Sequence, residues 1–170
     1  PEVIKTERLV LRALQDRDAG LISLYVGDER VAMNLAVVPH PYPDGAAEAY
    51  IEYSRKDDTD EIIWAIELNG ELIGVISISR RDTRRGNIGY WLAPQFWGAG
   101  FTPEALEAVV KAARKLGFKG LNASVHQGNQ GSARVLIKEA FEYCGDSETP
   151  SIARGGMVKS WNYRLDFNDG

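Results

Sequence analysis

Asn87-Ile88-Gly89-Tyr90-Trp91-Leu92-Ala93-Pro94-Gln95-Phe96-Trp97-Gly98-Ala99-Gly100-Phe101-Thr102-Pro103-Glu104 changes character twice in one short run. It begins as a strand, breaks at Pro94, passes through a loop with glycines at 98 and 100, and resumes as a helix. Leu106, Val109, Val110, Ala113 and Leu116 then recur at helical spacing. Thr102 reads as the helix cap, Pro103 as its first residue and Gly117 as its stop. A strand–loop–helix junction of this kind aims backbone N–H groups and the positive helix end at one point, which suits phosphate. The glycines let a ligand approach the backbone closely. A P-loop needs Lys-Ser/Thr after its last glycine, and Phe101-Thr102 follows Gly100. A Rossmann fingerprint counted from Gly98 needs a small residue where Pro103 stands.

Upstream, the strongest local signal is Asn69-Gly70 between Ile62–Leu68 and Leu72–Ser79. The dipeptide favours the positive φ values of a type I′ hairpin. With Asn87–Leu92, and a charged turn from Arg80 through Arg81, Asp82, Thr83, Arg84 and Arg85 to Gly86, these segments predict an antiparallel meander. Further upstream, Arg8–Arg12 reads as a strand. Asp16 reads as the cap of a helix through Tyr25, and Asp44 as the cap of a helix from Ala46 to about Arg55. Pro39, Pro41 and Pro43 force an extended loop between those helices. Downstream, Leu121–Val125 is a strand and Ser132–Glu139 a helix. Phe141–Cys144 and Met157–Phe167 are closing strands around a loose loop. The pattern is mixed α/β (α+β) around a central sheet, and 170 residues suit one domain, 1–170.

Composition narrows the function. Hydrophobic residues make up 44% and charged residues 26%, ordinary for a protein with a core. The net charge of −4 and the lack of a basic stripe argue against a nucleic-acid partner. Apolar runs such as Leu35–Val38 are far too short for a membrane span, and no export signal is read at Pro1–Lys5. One cysteine, Cys144, and two histidines, His40 and His126, offer no metal-ligand spacing. The expectation is a cytoplasmic protein without a metal. A buried structural role is expected for Cys144, and core or sheet positions for Trp64, Trp91 and Trp161.

The run Ile88–Pro94, Phe96–Gly100 and Glu104–Leu106 resembles the acetyl-CoA motif of the GNAT superfamily of N-acetyltransferases, in its RimJ/RimL-type branch. Asn129-Gln130-Gly131-Ser132-Ala133-Arg134-Val135-Leu136 is similar to that branch's Asn-x-x-Ser-x-x-Val-Leu segment. Thr6–Arg12 and Pro39–Tyr42 also look like it, so the resemblance runs from about Thr6 to Cys144. It implies the GNAT fold: a mixed, mostly antiparallel sheet, splayed at the acetyl-CoA site and flanked by helices. It implies pyrophosphate on the amides of Trp97, Gly98, Ala99, Gly100, Phe101 and Thr102, and pantetheine paired along Leu92 and Ala93 like an added strand. Asn129 resembles a pantetheine-binding residue; it also suits the cap of the Ser132 helix. Ser132 resembles the residue that protonates the departing thiolate, or is an ordinary first-turn serine. His40 and Tyr42 fall where relatives wall the acceptor site, or are loop packing.

The implied chemistry is direct attack of an amine on acetyl-CoA within a ternary complex, with the Leu92 N–H as oxyanion donor. An aliphatic amine is mostly protonated at neutral pH and needs a base. Many relatives carry Glu before Ile-Gly-Tyr-Trp, where this chain has Asn87. Glu67, Asp82, Tyr90 and His126 are the candidates for that proton, and each has an ordinary structural reading as well; Tyr90 and Ser132 are taken as the catalytic pair. Acceptors implied by the branch are protein α-amines and small-molecule amines. The vacant base position leaves a second reading, a non-catalytic coenzyme-A-binding module. A homodimer is compatible with the branch. Ala140 stands where relatives have Gly, which predicts altered backbone geometry there.

Overall fold

Asn69 and Gly70 adopt φ of 51° and 85°, the twisted turn their sequence predicts, and so fix the central hairpin. In the computed structural model, which describes residues 1–80, 82 and 84–168, the elements run as follows. β1 (Ile4–Lys5) and β2 (Val10–Arg12) precede α1 (Ala19–Val26), α2 (Glu29–Ala32) and α3 (Ala46–Ser54). The meander β3 (Glu61–Leu68), β4 (Glu71–Arg80) and β5 (Arg85–Leu92) leads into α4 (Phe101–Lys115). β6 (Gly120–His126), α5 (Gln130–Lys138), β7 (Glu142–Ser151) and β8 (Gly156–Asp166) complete the fold. The strands form one eight-stranded sheet of order β1-β2-β3-β4-β5-β6-β8-β7. Every neighbour pair is antiparallel except β5 and β6.

Apolar residues cover both faces of the sheet, so the strands bury side chains in both directions. Trp64, Ile66, Ile88, Leu121 and Val125 pack with Leu106 and Val109 of α4 and Leu136 of α5. Ile63, Ala65 and Val75 pack with Ile22 and Tyr25 of α1 and Ile51 of α3. Beneath the second core, Arg12 bonds Asp18 at 2.8 and 2.9 Å and Glu67 at 2.6 Å.

The parallel pair is where the sheet opens. Its register ends at Asn87↔Asn122, yet β5 continues to Leu92 and β6 to His126. β4 holds one arm and β8 the other, out to Gly74↔Leu92 and His126↔Ser160. The result is a wedge between two otherwise well-paired strands.

Several helix starts differ from the sequence reading. Asp16 opens a 3-10 turn rather than capping α1, and the buried carboxylate is Asp18, which accepts the Gln15 N–H at 2.7 Å. α3 begins behind Gly45, whose φ of 81° turns the chain without a side-chain cap, so Asp44 is not the cap. α4 begins at Phe101 behind Gly100, making Thr102 and Pro103 its second and third residues. The short α2, capped by Asp28 through the Arg30 N–H, is an element the sequence did not announce. The loose loop after Cys144 is instead strand, paired from Glu142↔Arg164 to Ser151↔Gly156. Cys144 is exposed rather than buried. Of the charged turn before β5, Arg81 and Thr83 lie outside the described residues. No helix among the described residues is long and apolar enough to cross a membrane.

Candidate active site

Gly98 and Gly100 adopt φ of 79° and 84°, a conformation that non-glycine residues rarely take. This folds the loop so that its amides are left over. The N–H groups of Gly98, Ala99, Gly100, Phe101 and Thr102 have no partner among the described residues, and the first ladder bond of α4 is Glu104 N–H to Gly100 O at 3.2 Å. A helix start normally recruits a side chain to satisfy these donors; here none does. The Trp97 amide is not part of the set, because it donates to Pro94 O at 3.1 Å. Trp97 contributes its ring instead, with Nε1 donating to Leu92 O at 2.7 Å.

The N-terminal segment braces the loop from outside. Arg8 Nη1 donates to Ala99 O at 2.9 Å, its Nε to Glu104 Oε1 at 2.8 Å, and its guanidinium stacks 4.3 Å from the centre of the Phe101 ring. The Arg8 N–H and the Thr6 hydroxyl both donate to Glu104 Oε2. Burial alone would raise the Glu104 carboxyl, but Thr6 and Arg8 together hold it below its ordinary range. Sequence reading placed Arg8 in an opening strand and in a segment resembling the family, without a role; nothing local to residue 8 announces a partner so distant in the chain.

The edge of β5 supplies the next donors. Gly74↔Leu92 is a pair in which Ala93 N–H, not Leu92 N–H, bonds across to β4, at Ile73 O and 2.9 Å. Ladder bonds alternate sides along an antiparallel strand. The N–H and C=O of Tyr90 and Leu92 therefore face the wedge. Ala93 does not: its N–H is spent on Ile73, its C=O accepts Phe96 N–H at 2.9 Å, and it is fully buried. Of the positions expected to offer strand-like pairing, Ala93 thus has its backbone groups occupied, while the N–H groups of Tyr90 and Leu92 face the wedge.

These groups open on one cleft of about 750 Å³, lined by Leu92, Trp97, Gly98, Gly100, Phe101, Thr102, Tyr90, Asn129, Ser132, Asn87 and His126, among others. Ala93 and Ala99 are not on its lining. The Tyr90 hydroxyl lies 2.9 Å from Ser132 Oγ. Burial pushes the Tyr90 phenol up to about 12, against a lowering contribution from Ser132. Tyr90 therefore stays protonated at neutral pH and is a donor, not a base. Asn129 caps α5, its Oδ1 accepting the Ser132 N–H at 3.3 Å. His126 is 8% exposed, with Nδ1 3.1 Å from Met33 O.

Other candidates lie elsewhere. Glu67 is held by Arg12 and Arg17 and is not on the cleft. Asp82 is exposed and accepts the N–H groups of Arg84 and Arg85 at 2.7 and 2.8 Å, which hold its carboxyl low. His40 and Tyr42 do not line the cleft; Tyr42 packs against the second core, and His40 is exposed. A larger groove of about 1130 Å³ runs between the N-terminal segment, the α3–β3 connection and α4. It contains none of the unpaired amides. Among the described residues, no group of three or more His, Cys, Asp or Glu is placed to hold a metal.

Comparison with known proteins shows the family. The family model for the acetyltransferase (GNAT) domain matches residues 8–142. The uncharacterized N-acetyltransferase YoaA of Bacillus subtilis (strain 168) is 29% identical over 146 residues, covering 82% of each chain. RimL, a ribosomal alpha-N-protein acetyltransferase solved in complex with coenzyme A, shares the fold at a TM-score of 0.85 and 18% identity, covering 99% of this chain and 100% of that one. The microcin C7 self-immunity acetyltransferase MccE, solved with acetyl-CoA and AMP, shares it at 0.82 and 19%, covering 95% and 93%. The chain is a GNAT-family N-acetyltransferase of the RimJ/RimL type.

Proposed function

We propose that the chain transfers the acetyl group of acetyl-CoA to a primary amine, by direct attack within a ternary complex in the wedge between β5 and β6. The observation that carries this is the run of unpaired amides from Gly98 to Thr102 opening on that wedge. Those amides and the positive end of α4 hold the pyrophosphate. The edge of β5 at Tyr90 and Leu92 pairs with the pantetheine arm, and Asn129 lies beside it. Acetyl-CoA supplies the acetyl group as an activated thioester. Leu92 N–H donates to the carbonyl oxygen as it gains charge. Tyr90 O–H donates to Ser132 O at 3.2 Å and lies 2.9 Å from Ser132 Oγ, so the two hydroxyls stand together, and Ser132 gives its proton to the departing sulfur. RimL and MccE, solved with coenzyme A and acetyl-CoA respectively, make the ligand reasonable for this fold.

The cleft lining also bears on the acceptor. Its charged side chains are Arg30 and Arg134, with no Asp or Glu. A polycationic amine finds no counter-charge there, so a protein α-amine or a neutral or anionic small amine suits the site better.

Calorimetric titration with acetyl-CoA at fixed salt tests the reading. One-site binding is expected, weakened at least tenfold by Gly100→Val, since valine is strained at that φ and crowds Arg8, whose Nη2 lies 3.2 Å from a Cβ at this position. Unchanged affinity in a folded variant would overturn the placement. Thiol release across a panel of amines then identifies the acceptor.

A further inference from the structure

We propose that His126 is the general base that relieves the acceptor amine of its proton, in the role that Asn87 cannot fill; this rests on the acetyl-transfer reading above. Three observations carry it: the face of the sheet His126 occupies, the hydrogen bond that fixes its ring, and the charges around it.

Along β6, Leu121, Ala123 and Val125 point into the core beneath α4 and α5. Side chains alternate along a strand, so His126 points to the opposite face. Along β5, Ile88 and Leu92 enter that same core and Tyr90 packs against it, while Trp91 packs on the other side with Tyr25. Asn87 therefore shares its face with His126, on the two arms of the wedge, and the Tyr90–Ser132 pair stands on the far face. A thioester lying between them has a base on one side and a proton donor on the other. That is the arrangement needed when an amine attacks from one side and a thiolate leaves on the other.

The ring orientation follows from chemistry. A backbone carbonyl only accepts, so Nδ1, 3.1 Å from Met33 O, carries the proton of the neutral ring and Nε2 keeps its lone pair. Arg154 Nε donates to the same carbonyl at 2.7 Å, anchoring it. No buried side-chain nitrogen or oxygen among the described residues is without a partner, and Nε2 has none, so it is not sealed in the interior; His126 is on the cleft lining. Burial and the charge of Arg154 together lower the imidazole pKa, against the Met33 bond. The other charged or titratable groups on the cleft are Arg30 from α2, which pairs with Asp28 at 2.7 Å, Arg134 from α5, and Tyr90 from β5, which is uncharged. His126 is thus neutral, and basic at Nε2, at pH 7.

The step balances. An ammonium acceptor gives one proton to Nε2, forming imidazolium. The freed nitrogen lone pair forms the C–N bond, the C–S bond breaks, and the second nitrogen proton replaces the one that Ser132 gives the sulfur. The imidazolium returns its proton to water. The products are amide, thiol and one released proton.

His126→Asn is the informative variant, because Asn Nδ2 can keep the bond to Met33 O while no base remains. Thiol release would be followed with an alanyl peptide amide and with methoxyamine, which is neutral at pH 7 and needs no deprotonation beforehand. The variant should lose on the order of 10²-fold in kcat with the peptide, much less with methoxyamine, and nothing in acetyl-CoA affinity. Nitrogen NMR of labelled histidine, with His40 removed for assignment, should show the Nδ1–H form of His126 at pH 7. Undiminished turnover in His126→Asn, equal losses with both amines, or a ring protonated on Nε2 at pH 7 would overturn the base. Acetyl-CoA binding without thiol release from any amine would instead overturn the acetyl-transfer reading, and this one with it.

Discussion

Tyr90 and Ser132 show how much a single side chain's role depends on what surrounds it. As a sequence position Tyr90 could serve as base or as core; burial keeps its phenol protonated, its O–H donates to Ser132 O at 3.2 Å, and Ser132 Oγ lies 2.9 Å away. If the two hydroxyls act as one relay, Tyr90→Phe and Ser132→Ala should each lower kcat by about 10²-fold, and the double variant should fall little below the worse single. Acetyl-CoA affinity should change little in either. Multiplying losses in single-turnover kinetics would show two independent roles. The same dependence explains which base candidates failed. Glu67 alternates with apolar residues in sequence, yet Arg12 and Arg17 claim it in space; partners 55 and 50 positions away leave no local trace.

The helices divide into ends that sequence announces and ends that it does not. C-termini were legible. Gly117 closes α4 at φ 93°, with Phe118 N–H returning to Ala113 O and Gly117 N–H to Arg114 O, the doubled bond of a Schellman turn. α5 closes identically, Phe141 to Leu136 and Ala140 to Ile137, but the left-handed residue is Ala140, at φ 70°. The glycine of relatives is thus missing from the sequence while the backbone it favours is retained. An L-residue there costs about 1 kcal/mol, so Ala140→Gly should stabilise the protein by about that amount in urea unfolding, and Gly117→Ala should destabilise it similarly. Among N-termini, Asn129 was read correctly as the cap of α5, but Asp16, Asp44 and Thr102 were misread because Asp and Thr cluster near helix starts whether or not they cap. At α4 the error is instructive: Thr102 was expected to satisfy donors that the protein leaves unsatisfied for a ligand. β7 was missed for a different reason. Its Gly145, Ser147, Thr149 and Pro150 have the composition of a loop, and only its pairing with β8 makes it a strand.

Across the whole molecule, the alternation in β3–β5 and the period of α4 were enough to indicate a sheet with helices packed on it, while the opening between β5 and β6 came from resemblance rather than from pattern. The charged cluster under the second core shows what holds the N-terminal half in place. Arg12 and Asp18 are 6% and 2% exposed and join β2 to the turn before α1. Burial works to raise the Asp18 carboxyl, but Arg12 and the Gln15 N–H outweigh it and hold the group below its ordinary 3.8. Its contribution is therefore complete above the unfolded value and disappears as pH falls through the lower folded one. Thermal melts should lose stability below about pH 4. Asp18→Asn should cost about 3 kcal/mol at pH 7 and flatten that acid limb; an unchanged limb would place the titrating group elsewhere. The Arg8 brace has a further consequence. Arg8 grips a carbonyl inside the glycine loop, so an anion that draws the neighbouring amides forward also pulls on that grip. Filling the loop and undocking Thr6–Arg8 are then linked equilibria, each shifting the other by the same free energy. How firmly the segment Thr6–Arg8 sits against α4 would then register whether the loop is filled.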